Sequence, residues 1–192
     1  MTDVQLYDVL KAGYQDKNKQ EDTLKKFGYQ RDNDLSGENH QAYYNPTNNK
    51  LIFNVTGTHN LSDWATDAYL GVGKLKDTSR YKEADKIYKK AKEKYHVDNA
   101  TVTGHSLGGA IAGGIASKND NVLTLDKGAT IGQKVRGNEK AYRTSGDIVS
   151  LLNAGATHMK TLANPNWKTG IWALDTLRAH NVDNIKNKSI FI

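Results

Sequence analysis

A serine between glycines stands where a strand pattern passes into a helix pattern. Residues 101–114 read TVTGHSLGGAIAGG, and Gly104, Ser106 and Gly108 fit the pattern G-x-S-x-G. In this pattern the serine occupies a tight strand-to-helix turn, where side chains at the glycine positions would crowd the neighbouring strand and helix. The N–H groups that open the following helix can stabilise an oxyanion. The stretch, called the elbow below, therefore predicts that Ser106 is a nucleophile.

A serine hydroxyl is a weak nucleophile at pH 7, so it needs a base, and the base needs an orienting acid. In the α/β-hydrolase arrangement these groups follow in the order serine, acid, histidine. The histidines that follow Ser106 are His158 and His180. We favour His180, because the long segment before it can return over the sheet, whereas His158 has little chain in which to do so.

Five acidic residues lie between Ser106 and His180 and could orient the base: Asp120, Asp126, Glu139, Asp147 and Asp175. Asp147 follows the second strand pattern after the elbow, where this arrangement usually has its acid, and Asp126 follows the first. We therefore predict Asp147 as the acid and keep Asp126 as the alternative. Asp147 also suits the N-cap of a helix, and the two roles are compatible.

The other histidines have simpler interpretations. His40, His59 and His96 are expected to be ordinary surface residues. His105, inside the elbow, is expected to be packed rather than catalytic.

The hydrophobic spacing predicts the elements that position these groups. Residues 1–27 are expected to be helical, residues 41–58 to form a hairpin, and residues 78–95 to form a helix with one apolar stripe. Strands are expected before the elbow, at NVLTLD and at AYRTS. This alternation predicts an α/β fold with a mostly parallel sheet, in a single domain over residues 1–192. Functional residues of such sheets gather beyond the carboxyl ends of the strands.

Composition limits the function classes. The 192 residues contain no cysteine, so disulfides and thiolate metal sites are excluded. No secretory signal or membrane span is evident, so a cytoplasmic or virion-associated location is the default expectation. The net charge is +6, and residues 74–94 hold nine Lys or Arg against four Asp or Glu. This basic segment is either a solvated helix face or a surface for an anionic membrane.

Five segments resemble the class 3 lipase family of α/β-hydrolases. They are GHSLGG, VTGTHNLSDWATD, TLDKGATIGQ, YRTSGDIVSLL and AHNVDNI, and together they span most of the chain. The resemblance implies that Ser106 is the nucleophile, Asp147 the acid and His180 the base. It also implies that Thr58 and the N–H of Leu107 form the oxyanion hole, with no cofactor and no metal.

Two positions depart from the family pattern. The arginine that often precedes the Gly-Thr pair is Thr56, and the proline expected after Lys127-Gly128 is absent. The segment between Asp67 and Arg80 is also too short for a long lid helix. The chain thus resembles compact, lid-poor versions of the family, of the kind found in phages and large DNA viruses, and we expect it to prefer soluble short-chain esters.

The main hypothesis is a serine ester hydrolase acting on acyl esters, as a lipase, phospholipase or esterase. The alternative is a hydrolase-fold virion or binding protein with little or no catalysis. A nucleic-acid-binding module is not expected, because the basic residues are not interleaved with an aromatic platform. A metal hydrolase is disfavoured because the sequence contains no H-E-x-x-H motif. The sequence does not fix the oligomeric state.

Overall fold

The computed structural model describes residues 4–58, 74–128, 135–147, 149, 159–163, 175 and 178–192. Within them a single sheet contains seven strands, in the spatial order of the chain. The strands are β1 (Gln30–Arg31), β2 (His40–Asn45), β3 (Lys50–Val55), β4 (Thr101–His105), β5 (Asn121–Leu125), β6 (Glu139–Thr144) and β7 (Lys160–Leu162).

The sheet combines an antiparallel start with a parallel body. β1, β2 and β3 pair antiparallel, and β2 and β3 form the hairpin that the sequence predicts. β3 to β7 pair parallel, so their carboxyl ends lie along one edge of the sheet. The expected α/β fold with a mostly parallel sheet is confirmed.

Helices cover both faces of the sheet. They are α1 (Leu6–Gly13), α2 (Lys17–Lys25), α3 (Ser79–Tyr95) and α4 (Leu107–Ile115). The single N-terminal helix expected from the sequence is two helices, because Asp16 caps α2 by accepting the Lys19 N–H at 3.0 Å. Thr78 caps α3 in the same way by accepting the Tyr81 N–H at 3.2 Å. No helix in the described part of the chain is long and apolar enough to cross a membrane.

Alternation along β3 divides the core between the two faces. Phe53 and Val55 pack with α3 and α4, whereas Ile52 packs on the opposite face against α1 and α2. On that opposite face, Leu123 of β5 also contacts α1 and the C-terminal segment that contains Ile185. The N- and C-terminal segments therefore lie against the central strands, which brings both of them close to the ends of β3, β4 and β5.

Candidate active site

The elbow holds Ser106 in a strained backbone conformation between β4 and α4. Its φ is 57° and its ψ is −128°, a region that non-glycine residues rarely adopt. The Ser106 N–H donates to the Leu125 carbonyl at 3.1 Å, and its carbonyl accepts the Gly128 N–H at 2.9 Å. Strain of this kind costs about 1–3 kcal/mol and persists only where the surroundings enforce it. Here β5 and the loop that follows it enforce the turn.

The elbow glycines are required by close backbone contacts. A Cβ at Gly104 would lie 2.4 Å from the Gly108 carbonyl oxygen, inside α4. A Cβ at Gly108 would lie 2.1 Å from the Val55 carbonyl oxygen, at the end of β3. Both clashes are with backbone atoms, which cannot move aside. The steric interpretation of the G-x-S-x-G pattern is therefore confirmed by the structure.

The structure brings Asp147 and His180 into direct contact. Asp147 follows β6, and His180 follows the helical residues 178–179 near the C-terminus. His180 Nδ1 and Asp147 Oδ1 are 2.8 Å apart, and the two residues are 2% and 1% exposed. Asp147 Oδ1 also accepts the Val149 N–H at 3.2 Å, as an N-cap side chain does. The Asp147 carboxylate can therefore orient an imidazole whose Nδ1 carries the proton.

Ser106 and His180 belong to one buried site. The ring of His105, which directly precedes Ser106, lies 4.7 Å from the His180 ring. Ser106 is 2% exposed, and its Oγ makes no hydrogen bond within the described residues. A buried serine that directly follows a residue packed against an oriented imidazole is a candidate nucleophile.

His105 has a structural role, as the sequence predicts. Its Nδ1 lies 2.7 Å from the hydroxyl of Tyr14, just after α1, and the same hydroxyl accepts the Gly57 N–H at 3.0 Å. A hydroxyl can accept two hydrogen bonds and donate one, so the contact fits either tautomer of the His105 ring. Burial, and then the neighbouring His180, hold the pKa of His105 well below its usual range, so the ring is neutral.

The two predicted oxyanion donors flank the elbow. Thr58 follows the end of β3, and its buried Oγ1 makes no hydrogen bond to any residue that the structure describes. Leu107 is the first residue of α4, where backbone N–H groups lack partners within the helix. Arg80 of α3 donates to the Thr56 carbonyl at 2.7 Å and to the Gly57 carbonyl at 3.4 Å. An arginine of α3 therefore contacts the turn in which Thr56 stands at the position of the expected arginine, and the sequence pattern did not predict this contact.

The other candidate acids have different surroundings. Asp120 is held by Tyr88, by Lys92 at 3.1 Å and by the Ala100 N–H at 3.0 Å. Glu139 forms a buried ion pair with Lys127 at 2.9 Å. These contacts occupy both carboxylates away from His180.

Asp126, the alternative acid, lies inside the site. Its side-chain oxygens and the ring nitrogens of His105 and His180 include atoms that all lie within 4.8 Å of one another. Asp175 is buried at 6% exposure. Asp147 and Asp126 thus meet beside the same histidine.

Several predictions fall outside the described residues. His158, His59 and the first part of the segment between Asp67 and Arg80, up to residue 73, lie there. The surface position expected for His40 is wrong: it is 5% exposed and stacks on Phe53 with ring centroids 5.8 Å apart. His96 is exposed at the end of α3, as expected.

Comparisons with known proteins match the chain to a family of lipid-cleaving enzymes. Residues 4–181 match the family model for the Tle-like phospholipase domain, described as phospholipase-like. A comparison with curated proteins gave no match.

Solved structures share the fold at low sequence identity. A structure of MDLA from Penicillium cyclopium has a TM-score of 0.54 and 17% identity, over 85% of this chain and 79% of that one. A lipase of Rhizomucor miehei in complex with its propeptide has a TM-score of 0.51 and 17% identity, over 78% of this chain and 62% of that one. At this identity the likeness concerns the fold, which is that of α/β-hydrolases of the class 3 lipase type.

Proposed function

Because the chain belongs to the phospholipase-like family of Tle-like phospholipase domains, we propose that it is a serine carboxylic-ester hydrolase acting on acyl esters of lipids. The family and the fold support ester hydrolysis. The observation that carries the finer assignment is the 2.8 Å contact between His180 and Asp147, beside a serine on a strained turn at a helix N-terminus.

The proposed reaction uses a covalent intermediate. Ser106 Oγ attacks the ester carbonyl carbon while His180 Nε2 accepts the hydroxyl proton, which then passes to the leaving alcohol. A water molecule next attacks the acyl-enzyme, with His180 again as the base, and the acid product and free Ser106 result. Asp147 keeps His180 in the required tautomer and stabilises the imidazolium. No cofactor or metal takes part in this mechanism.

The proposed oxyanion hole lies between β3 and α4. The negative oxygen of the tetrahedral intermediate would accept hydrogen bonds from the Leu107 N–H, the Thr58 N–H and the Thr58 hydroxyl. The positive end of the α4 dipole adds to this stabilisation. The clamp from Arg80 and the Tyr14 hydroxyl fixes the Gly57 peptide, and therefore the direction of Thr58.

An ester panel tests the proposal. Purified protein is assayed on p-nitrophenyl esters and phospholipids of increasing acyl length, alongside Ser106→Ala and the control Ser189→Ala, a serine that is exposed near the C-terminus. Hydrolysis by the wild type and Ser189→Ala is expected, with a loss of several orders of magnitude in Ser106→Ala. The panel also shows whether short chains are preferred.

A fluorophosphonate probe gives a readout that does not depend on choosing the right substrate. Ser106 Oγ bonds to phosphorus and fluoride leaves, so mass spectrometry should find the probe on Ser106. A chain that neither hydrolyses any ester nor takes up the probe would support the alternative, a hydrolase-fold protein used for binding or virion assembly.

A row of exposed lysines on α3 forms a positively charged surface that could bind an anionic membrane. Lys82, Lys86 and Lys90 are exposed and four residues apart, so they share one face of α3. Within the described residues they form no ion pair, whereas Lys89 pairs with Asp85 and Lys94 with Asp32. We propose that this row contacts an anionic membrane surface.

Vesicle co-sedimentation tests the membrane contact. Each lysine near an anionic surface contributes about 1 kcal/mol, so the triple Gln variant of the row should bind phosphatidylserine vesicles about 100-fold more weakly at low salt. The matched control replaces the exposed Lys17, Lys25 and Lys50 with Gln. Equal binding by the two triple variants, or no binding by the wild type at low salt, would remove the membrane contact and leave ester hydrolysis untouched.

A further inference from the structure

Asp126 is held at the edge of the sheet by an unusual backbone conformation and by β6. Its φ is 45°, in the left-handed region, and the residue is fully buried. One carboxyl oxygen accepts the Thr144 N–H at 2.5 Å and the other accepts the Thr144 hydroxyl at 2.9 Å. The Asp126 N–H in turn donates to the Tyr142 carbonyl at 2.9 Å. These contacts fix the carboxyl group where β5 and β6 end.

The same Thr144 positions a second carboxyl group. Asp147 donates its N–H to the Thr144 carbonyl at 3.1 Å, which closes the turn after β6. The two carboxyl groups converge on His180: Asp147 Oδ1 is 2.8 Å from its Nδ1, and a carboxyl oxygen of Asp126 lies within 4.8 Å of one of its ring nitrogens. Two carboxyl groups can share a hydrogen bond only if one of them carries a proton. Within the described residues Asp126 forms no ion pair with Lys or Arg, and the adjacent Lys127 binds Glu139.

We propose that Asp126 is a positioning residue for the triad, which donates the proton of its carboxyl group to Asp147 and so holds the Asp147 carboxylate toward His180 Nδ1. This role rests on the proposed function of Ser106, His180 and Asp147. The orienting acid is then a pair of carboxyl groups with one shared proton and a single negative charge.

The surrounding groups favour that protonation state. Burial, and then the negative charge of Asp147, raise the pKa of Asp126 well above its usual range, although the bonds from Thr144 act in the opposite direction. The ionisable groups that face Asp126 are Asp147 after β6, His180 near the C-terminus and His105 at the end of β4. His105 is neutral because burial lowers its pKa. No described neighbour therefore offers a positive charge that would keep Asp126 ionised while His180 is neutral.

The proposal predicts a pH dependence with a definite sign. On this proposal Asp126 carries its proton while the triad turns over, and it ionises as the pH rises through its raised pKa. The second negative charge then repels Asp147 and disturbs its hydrogen bond to His180. The rate should therefore fall on the alkaline side of the kcat profile. Asp126→Asn cannot ionise; its amide nitrogen can donate to Asp147 while its amide oxygen accepts one of the two Thr144 donors, so it should lose this alkaline fall.

Asp126→Leu separates positioning from simple space filling. The leucine side chain has nearly the shape of an asparagine side chain, but it can neither donate a hydrogen bond to Asp147 nor accept one from Thr144. Because hydrogen bonds to charged groups are the strong ones, kcat should fall about 10- to 100-fold with little change in KM. If Asp126→Leu retains the kcat of Asp126→Asn, or if Asp126→Asn keeps the alkaline fall of the wild type, the proposal is wrong.

Infrared spectroscopy detects the shared proton without any turnover. In the Ser106→Ala background, a C=O stretch of a protonated carboxyl group should be present at pH 7 and should disappear with Asp126→Asn. The control is Asp32→Asn, because Asp32 is paired with Lys94 at 2.6 Å and should contribute no such band. A band that survives Asp126→Asn, or no band at all, overturns the shared proton. The spectrum is unaffected if the chain hydrolyses no ester, so the two proposals fail separately.

Discussion

Replacing Tyr14 with Phe should weaken both the fold and the site, because one hydroxyl connects two buried groups. The hydroxyl accepts the Gly57 N–H at 3.0 Å and lies 2.7 Å from His105 Nδ1. In Tyr14→Phe both groups lose this partner without gaining water. An unsatisfied buried polar group costs about 1–3 kcal/mol, so we expect a loss of about 2–4 kcal/mol in the free energy of unfolding.

The loss is measurable by urea denaturation. With an m-value of about 2 kcal/mol/M, the midpoint should fall by about 1–2 M while m stays unchanged. Turnover should fall as well, because a turn released at Gly57 displaces the Thr58 donor. A misplaced group of this kind costs between about 10- and 100-fold in kcat.

Tyr43→Phe is the matched control. The Tyr43 hydroxyl is buried without a hydrogen bond in the described residues, so its removal leaves no group unsatisfied. Since a buried unpaired hydroxyl is unfavourable, the control should be neutral or about 1 kcal/mol more stable than the wild type. If Tyr14→Phe costs less than about 0.5 kcal/mol, or if both variants lose the same stability, the bridging role of Tyr14 is refuted.

Three further variants test the site. Ser106→Gly should abolish turnover and raise the unfolding free energy by about 1 kcal/mol, because glycine tolerates the φ of 57°; a less stable protein in thermal denaturation would contradict the strain. Thr58→Val should lower kcat about 100-fold if the hydroxyl stabilises the oxyanion; a loss well below tenfold in the ester assay would leave Thr58 only its backbone N–H. Arg80→Met should cost about 1.5–3 kcal/mol in urea denaturation, because the Thr56 carbonyl loses a charged donor; an unchanged midpoint would mean that the clamp is not needed.

The elements that the sequence predicted well are those with a local physical cause. The tight turn at Ser106 requires close backbone contacts within five residues. The glycines at positions 104 and 108 therefore suffice to predict it from the sequence. The apolar stripe and the Thr78 cap fix α3 in the same way. β1 was not predicted, since it is two residues long and is defined by backbone pairing with β2, which leaves no side-chain pattern.

The choice of the acid that orients His180 shows what sequence order alone cannot decide. The sequence presented Asp126 and Asp147 as alternatives because each follows a strand. β5 and β6 are neighbouring parallel strands, so their carboxyl ends meet at one edge and both carboxyl groups reach the same histidine. Strand order in space, which the sequence pattern does not encode, thus brings both candidates close to one histidine.

Several contacts around the site join residues that are far apart in the sequence. A local sequence pattern cannot predict such contacts. Tyr14 reaches Gly57 and His105, which are 43 and 91 positions away. Arg80 reaches the turn at Thr56 across 24 positions, where it donates to the Thr56 carbonyl at 2.7 Å. A motif therefore locates the reacting groups, whereas the groups that hold them can come from any element that packs on the same edge. Absence of a familiar residue from its usual position is weak evidence against a function, because the backbone carbonyls that need a donor do not distinguish which helix supplies it.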